Sequence, residues 1–411
     1  MAKPIKFGIG FLAGRPNVCK IINRYYKDII EQGDKFGKEV KFTIFILYDL
    51  SYQGTNRIDF YNIKSDVYRK IEIKYITPED IEEEKKILVS RHDFNKKDID
   101  LILGHGYARA RNSIMYFALK RKIDYLLFWD DDEYLVANVK NENNQIEWIK
   151  QEDILQHLKN IKNADVTVGY RCGNMSPIPK IEYGKSIGEE EFKYYIDGVS
   201  NEAVTWEKVK KQEKQEAGIS FANRDIVFNC KAKRIKDVGT KNWLLASGIC
   251  FNLRRIENIP AFYNPPLARG EDTFISTMLK DAKVVQVPTY HFHDGFLKYS
   301  KILDNKYPKE FKKIKLDESI EERFLKTSIG WIKYKPLLIY IIDRKNYCKI
   351  MKETRENLEK GITAINKLFD TNSFNILLEE LNNYDKNVKK HYNEYIKTNE
   401  IWNKLKLQMK F

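Results

Sequence analysis

The chain has 411 residues, 43% of them hydrophobic, and a formal net charge of +14. A chain of this length can bury a large core, and we expect one sizeable domain with an appendage. The five cysteines are scattered along the sequence without Cys-x-x-Cys spacing, which excludes a disulfide-stabilised scaffold or a zinc module as the expected class.

The N-terminal sequence, MAKPIKFGIGFLAGRPNV, has too short an apolar run for a secretion signal and is predicted to be a first β-strand. The longest later candidate, PLLIYII, is far shorter than the ~20 residues of a membrane span. We therefore expect a cytoplasmic protein.

Its positive charge favours phosphorylated ligands or the anionic inner face of the membrane. Because it has no ordered RNA-binding motif, we expect no nucleic-acid partner.

Strands and helices alternate in the first third of the chain. A first strand lies in KFGIGFLAGRP and a second in KFTIFILYDLSYQGT, and a helix is expected in GYARARNSIMYFAL at residues 106–119. This alternation through about residue 135 predicts a mostly parallel sheet with helices on both faces.

The segment YLLFWDDDE, at residues 125–133, is predicted to be a buried strand that ends in Asp130, Asp131 and Asp132. Adjacent carboxylates repel one another and lose hydration there, so they are tolerated most readily beside a cation such as a divalent metal. A simple strand-to-turn junction is the alternative, since aspartate is common in turns.

Further along the chain, NVKNENNQIEWIKQEDI, at residues 138–154, is expected to be a polar loop that leads into the helix EDILQHLKNIKN. Arg269-Gly270-Glu271-Asp272 is predicted to open another helix, and a strand then leads to His291 and His293. Glu271 and Asp272 could instead be favourable charges at a helix N-terminus. The two histidines alternate, so one could be a structural partner of the other.

From Lys298 to Phe411 the sequence becomes basic and its periodicity helical. This C-terminal region is expected to form a homodimer, to contact a membrane peripherally, to hold a polypeptide acceptor, or to cover one side of the preceding domain.

The order of these motifs resembles that of the GT-A glycosyltransferases, especially the inverting, family-2-like members, over residues 5 to 295. The Ala-Arg-Asn segment containing Arg111 and the Asp-x-Asp motif of Asp130 to Asp132 match family motifs, as does Glu271-Asp272. Ser247-Gly248 is similar to the glycine loop that faces donor and acceptor. The short motifs are weak individually, and the resemblance lies in their order.

The resemblance implies a role for each matched position. The first strand, with Ala13 and Arg15 at its end, and the second, with Asp49, would reach the nucleotide together with Arg111, Asp130, Asp131 and Gly248. The metal would be Mn2+ or Mg2+, held by Asp132 with His293, His291 or Asp130 as further candidates. Asp272 would be the catalytic base, and Glu271 would orient the acceptor or a loop.

The expected fold is therefore a mixed α/β GT-A domain over residues 1–297, with a nucleotide-binding half (about 1–135), an acceptor-side half (about 136–297) and a helical C-terminal extension over 298–411. The expected function is metal-dependent transfer, with inversion, of a sugar from a UDP-, GDP- or CDP-linked donor to a glycan, lipid-linked or protein acceptor. Two alternatives stay open, a Mg2+-dependent nucleotidyltransferase and a non-catalytic basic binding module.

Overall fold

The computed structural model describes residues 3–51, 54–91, 94–174, 178–184, 186–245, 247–312 and 316–409. The strands, in chain order, are β1 (Ile5–Ala13), β2 (Val40–Tyr48), β3 (Glu72–Ile76), β4 (Tyr125–Trp129), β5 (Glu133–Tyr134), β6 (Val136–Lys140), β7 (Ile146–Lys150), β8 (Val166–Asn174), β9 (Ile219–Ser220), β10 (Lys233–Ile235), β11 (Ile249–Asn252) and β12 (Val284–His293).

The α-helices are α1 (Asn17–Lys35), α2 (Ser65–Tyr68), α3 (Pro78–Arg91), α4 (Lys96–Ile102), α5 (Tyr107–Lys120), α6 (Asp153–Ile161), α7 (Glu189–Val199), α8 (Trp206–Glu213), α9 (Arg224–Phe228), α10 (Glu271–Met278), α11 (Glu318–Ile342), α12 (Tyr347–Phe369), α13 (Ile376–Lys386) and α14 (Val388–Met409).

The main sheet has the strand order β10-β12-β8-β11-β4-β1-β2-β3. Strands β3, β2, β1 and β4 run parallel to one another. Strand β11 is antiparallel to both β4 and β8, so β8 and its parallel neighbour β12 point the same way as β4. The carboxyl ends of β1, β2, β4, β8 and β12 therefore lie along one edge of the sheet. The predicted mixed, mostly parallel α/β sheet with C-terminal helices is confirmed.

Both faces of the sheet are covered, which explains why its central strands are almost continuously apolar. On one face α1, α6 and the hairpin β6–β7 form a core with β1 and β4. On the other face α3, α4 and α5 form a second core. A third core joins α7 and α10 to the C-terminal helices α11, α12 and α13.

The last helix belongs to the core of the sheet domain. Trp402 of α14 is fully buried in the second core, and its indole Nε1 donates to the carbonyl oxygen of Ile259 at 3.1 Å. Lys406 donates to the same carbonyl at 2.8 Å. Helix α14 of the C-terminal region thus packs against the sheet domain, while the domain boundary at residue 297 stays a prediction.

The polar loop expected within residues 138–154 is wrong, because β6 and β7 pair as an antiparallel hairpin that extends to Lys150. The turn explains the difference. Asn141 accepts main-chain hydrogen bonds from Asn143 and Gln145 at 3.0 and 2.9 Å, and Asn144 adopts a φ of 58°. Asparagine tolerates this left-handed conformation, so a polar run can close a hairpin.

Among the described residues, no helix combines the length and apolar character needed to cross a membrane.

Candidate active site

Polar side chains gather where the parallel strands of the sheet end. Asp130, Asp131 and Asp132 follow β4, Asn174 ends β8, and His293 ends β12. Open α/β sheets bind ligands outside the carboxyl ends of their strands. The edge at which these residues meet is therefore the candidate site.

Arg15 supplies positive charge to two of the three aspartates. Its main-chain nitrogen and Nε donate to Asp131 at 3.0 and 2.9 Å, and its terminal nitrogen Nη2 contacts the same carboxylate. Nη2 also lies 2.9 Å from Oδ2 of Asp132. Although burial opposes the charge of Arg15, Asp132 and Asp131 raise its pKa above the usual range. Arg15 therefore remains a cation at this position.

Asp132 and His293 face each other across a gap. Nε2 of His293 lies 3.8 Å from Oδ2 of Asp132. The other ring nitrogen, Nδ1, contacts the carbonyl oxygen of Asn174. Because a carbonyl oxygen only accepts, Nδ1 carries the proton, and in the neutral ring Nε2 presents its lone pair to Asp132. Metal-binding histidines are commonly oriented in this way.

Asp132 and His293 are suited to bind a divalent ion whose remaining coordination positions are filled by oxygen atoms of the substrate. One ion can contact both atoms, because metal bonds to oxygen and nitrogen are about 2.0 to 2.2 Å long. Mg2+ sites often use one or two carboxylates together with substrate phosphates. No group of three or more His, Cys, Asp or Glu side chains suited to a metal is found in the part of the chain that the structure describes, so a cage made of protein alone is not present there.

His291 is placed differently from His293. Its Nδ1 lies 3.0 Å from Glu133, and its Nε2 lies 3.0 Å from Oδ1 of Asp153, outside hydrogen-bonding geometry but in ion-pair contact. Burial lowers the pKa of His291, yet the two carboxylates outweigh it and raise that pKa to about 10. A histidine held between two buried acids has no ring nitrogen directed at Asp132. The geometry therefore favours His293 over His291 as the ligand.

Glu133 and Arg171 extend this buried network and were not assigned from the sequence. Nη2 of Arg171 lies 2.6 Å from Glu133, and Ser247 donates to the same carboxylate at 2.6 Å. Burial opposes the ionisation of Glu133, but Arg171 and His291 hold its pKa well below the usual range. The signals in the sequence were a charged residue inside a largely buried strand, β8, and a fourth acid directly after the three aspartates.

Arg111 joins the two acidic motifs. From the buried face of α5, its Nη2 donates to Asp130 at 3.1 Å and its Nε donates to Glu271 at 3.3 Å. Burial raises the pKa of Asp130, against the opposing effect of Arg111. The structure thus places the end of β4 and the start of α10 on either side of one guanidinium group.

Glu271 and Asp272 begin α10 after Gly270, which has a φ of 93°. A side chain at Gly270 would meet the ring of Tyr334 at 2.9 Å, so α11 packs directly against this turn. Asp272 is partly buried, and its Oδ1 accepts from the main-chain nitrogen of Thr273 at 2.9 Å. Burial and the charge of Asp272 raise the pKa of Glu271 to about 7.

A third carboxylate, that of Glu202, lies beside this helix and was also not predicted from the sequence. Thr273 donates to Glu202, and the hydroxyl group of Tyr334 lies 3.2 Å from each of its carboxylate oxygens. Burial, with a smaller contribution from Asp272, raises the pKa of Glu202 to about 7. Neither Glu202 nor Tyr334 belongs to a motif, so no local signal identified them.

The remaining predicted residues lie near the same edge. Asp49 follows β2; its main-chain nitrogen donates to Ala13 at 2.9 Å, and its carboxylate accepts from Ser51 at 2.9 Å, as in a turn. Gly248 has a φ of 66°, and a side chain there would lie 3.3 Å from the ring of His291. Both placements are compatible with a structural role as well as with ligand contact.

A cleft of about 720 Å3 opens beside Arg15. Asn17 and Lys20 of α1, together with Tyr61 and Tyr134, contribute to its walls. The first turn of α1 lines this region, and the positive end of the helix dipole there favours anions.

Neither models of protein families nor curated protein sequences give a match to this chain.

Proposed function

We propose that the chain is an inverting, metal-dependent glycosyltransferase of the GT-A type. It would transfer a sugar from a nucleotide-diphosphate sugar to a glycan, lipid-linked or protein acceptor. The observation that carries this proposal is the bridge formed by Arg111, whose guanidinium contacts Asp130 at 3.1 Å and Glu271 at 3.3 Å. The motif expected to hold the donor and the motif expected to hold the base thus share one site.

The nucleotide diphosphate is assigned to the cleft beside Arg15, Asn17 and Lys20. Arginine suits phosphate because its planar group donates two parallel hydrogen bonds, and the positive end of the α1 dipole adds a favourable charge. Asp49 at the end of β2 would contact the base or ribose. The donor sugar would then extend toward Asp130 and Gly248.

Asp132 and His293 are the residues that would hold Mn2+ or Mg2+. Such an ion, when bound, stabilises the charge that develops on the departing diphosphate. A nitrogen ligand makes Mn2+ the better candidate, since imidazole binds transition metals more readily than it binds magnesium.

Asp272 would remove the proton of the acceptor hydroxyl group as its oxygen attacks the anomeric carbon. The new carbon–oxygen bond forms while the bond from that carbon to the diphosphate oxygen breaks, and the proton remains on Asp272. A carboxylate positioned in this way contributes about 10²- to 10⁴-fold to the rate. Glu271, held by Arg111, would orient the first turn of α10, which carries Asp272.

The test is release of nucleoside diphosphate from a panel of UDP-, GDP- and CDP-linked sugars, with and without Mn2+. We expect release from one donor that requires Mn2+ and is lost in Asp132→Asn. In Asp272→Asn, transfer to an added acceptor should fall by about 10²-fold or more. Asp281→Asn, at an exposed turn after α10, serves as the control.

Folded protein that releases no diphosphate from any donor would contradict the proposal. Pyrophosphate release from a nucleoside triphosphate would identify a nucleotidyltransferase instead. Binding of donors by wild-type protein without any turnover would identify a binding module.

A further inference from the structure

Arg15 and the candidate metal site share a single oxygen atom. Nη2 of Arg15 lies 2.9 Å from Oδ2 of Asp132, and Nε2 of His293 faces the same Oδ2 at 3.8 Å. An ion held by Asp132 and His293 would therefore meet the guanidinium group. Two cations on one carboxylate oxygen repel each other strongly, especially in a partly buried site.

The rest of Arg15 is fixed independently of Asp132. Its main-chain nitrogen and Nε donate to Asp131 at 3.0 and 2.9 Å, and Nη2 contacts that carboxylate as well as Asp132. The side-chain amide of Asn17 donates to the main-chain carbonyl of Asp131 at 2.6 Å, which ties the start of α1 to the same residue. Loss of the contact between Nη2 and Asp132 thus leaves Arg15 anchored on Asp131.

The alternative partner for Nη2 lies in the adjacent cleft. Arg15 is one of the residues that line it, with Asn17 and Lys20. The cleft is where the function proposed above requires the diphosphate. A phosphate group there offers the guanidinium two oxygens in place of the single Asp132 oxygen.

We propose, on the basis of that function, that Arg15 and the divalent ion compete for Asp132. Binding of the nucleoside diphosphate shifts this competition in favour of the ion. Without nucleotide, Arg15 occupies Asp132 and weakens metal binding. When the diphosphate enters, Arg15 pairs with it and releases Asp132 to the ion. Metal and nucleotide consequently bind with positive cooperativity, which by thermodynamic linkage is equal in both directions.

The test measures binding of Mn2+ alone, from the electron paramagnetic resonance signal of the free ion, and repeats it with saturating UDP, GDP or CDP. Wild type is compared with Arg15→Gln and Arg15→Lys. Arg24→Gln is the matched control, because Arg24 lies on α1 and pairs with Asp28 away from the aspartates. Circular dichroism of each variant establishes that it is folded.

Arg15→Gln should bind Mn2+ about fivefold or more tightly than wild type without nucleotide, in line with ordinary coupling strengths. The increase in Mn2+ affinity that the bound nucleoside diphosphate causes should be smaller in Arg15→Gln than in wild type, by a similar factor. Arg15→Lys, which keeps a charge but has a single donor group, should lie between the two, and Arg24→Gln should match wild type. If Arg15→Gln does not fold, the comparison of Mn2+ affinity between wild type and Arg15→Lys tests the proposal, and Arg15→Lys should bind Mn2+ more tightly.

Unchanged or weaker Mn2+ binding in the folded Arg15 variants would contradict the proposed competition for Asp132. The absence of Mn2+ binding in every variant would contradict it as well. Tighter Mn2+ binding in Arg15→Gln, together with no turnover of any sugar donor, would support the competition and remove the glycosyltransferase proposal. The two proposals therefore fail separately.

Discussion

Nε of Arg111 lies 3.3 Å from Oε1 of Glu271, which is 160 residues further along the chain. The same guanidinium holds Asp130 at 3.1 Å. Arg111 is buried, so removing it leaves these two acids without the cation that compensates them.

Replacing Arg111 by methionine should lower the free energy of unfolding by about 3 to 5 kcal/mol, since breaking a buried ion pair leaves an uncompensated charge. The measurement is urea denaturation of both proteins. Arg121→Met is the control, because Arg121 pairs with Glu72 at the exposed surface and should cost about 1 kcal/mol or less. Equal losses in the free energy of unfolding would show that the buried Arg111 contacts stabilise the protein no more than the exposed Arg121 pair does.

The two histidines of β12 should respond differently to glutamine substitution. His293→Gln should weaken Mn2+ binding by about tenfold or more, since even residues behind a ligand contribute about that much. His291→Gln should instead lower stability by about 3 kcal/mol, because it leaves Glu133 and Asp153 buried without their shared partner. Calorimetric Mn2+ titration and urea denaturation measure the two effects. Loss of metal binding in His291→Gln with unchanged stability would reverse the assignment.

The raised pKa of Glu202 predicts a pH-dependent stability. Its pKa is about 7 in the folded protein, against an ordinary value of 4.5, because of burial first and Asp272 to a smaller extent. The folded state therefore holds the proton more tightly than the unfolded state does. The contribution to stability is fully present below pH 4.5 and is lost as the pH rises through about 7.

Glu202→Gln, which cannot ionise, should flatten this decline by up to about 3 kcal/mol. The free energy of unfolding is measured from pH 4 to pH 8 for both proteins. Part of the slope should remain, because Glu271 has a pKa raised in the same direction. Glu142→Gln, in the exposed turn between β6 and β7, should leave the curve unchanged. An unaltered slope in Glu202→Gln would contradict the prediction.

The last helix should be indispensable for stability. Trp402→Ala should cost about 3 to 5 kcal/mol, because it opens a cavity in the second core and removes the hydrogen bond to Ile259. Leu407→Ala, on the same helix but 68% exposed, should change stability by about 0.5 kcal/mol or less. Chemical denaturation of the two variants is the measurement. A small loss in the free energy of unfolding for Trp402→Ala would show that α14 contributes little to the stability of the sheet domain.

The sequence by itself determined several central elements and the edge at which they carry polar residues. Uninterrupted apolar runs such as YLLFW predict buried strands, and the acids that follow must lie where those strands end. These are local properties, so β4, α5 and α10 could be identified without knowing what they pack against. The helical periodicity after Lys298 is a local property of the same kind, and α12 lies within it.

Only the tertiary structure decided which charges meet. Three arginines stand near the aspartates, yet Arg15 pairs with Asp131 and Asp132, Arg111 with Asp130, and Arg171 with Glu133. Each pair joins residues from different elements, so its existence depends on strand order and side-chain direction. The choice between His291 and His293 was undecided for the same reason, since alternation along a strand gives both the same local pattern.

The positions of Glu202, Tyr334 and α14 also depended on the tertiary structure alone. Their segments carry no motif, and an amphipathic helix does not specify the surface against which it packs. Packing placed Tyr334 against Gly270 and Trp402 inside the sheet domain. Hydrophobic periodicity fixes which face of a helix is buried, whereas complementary shape and charge fix its partner.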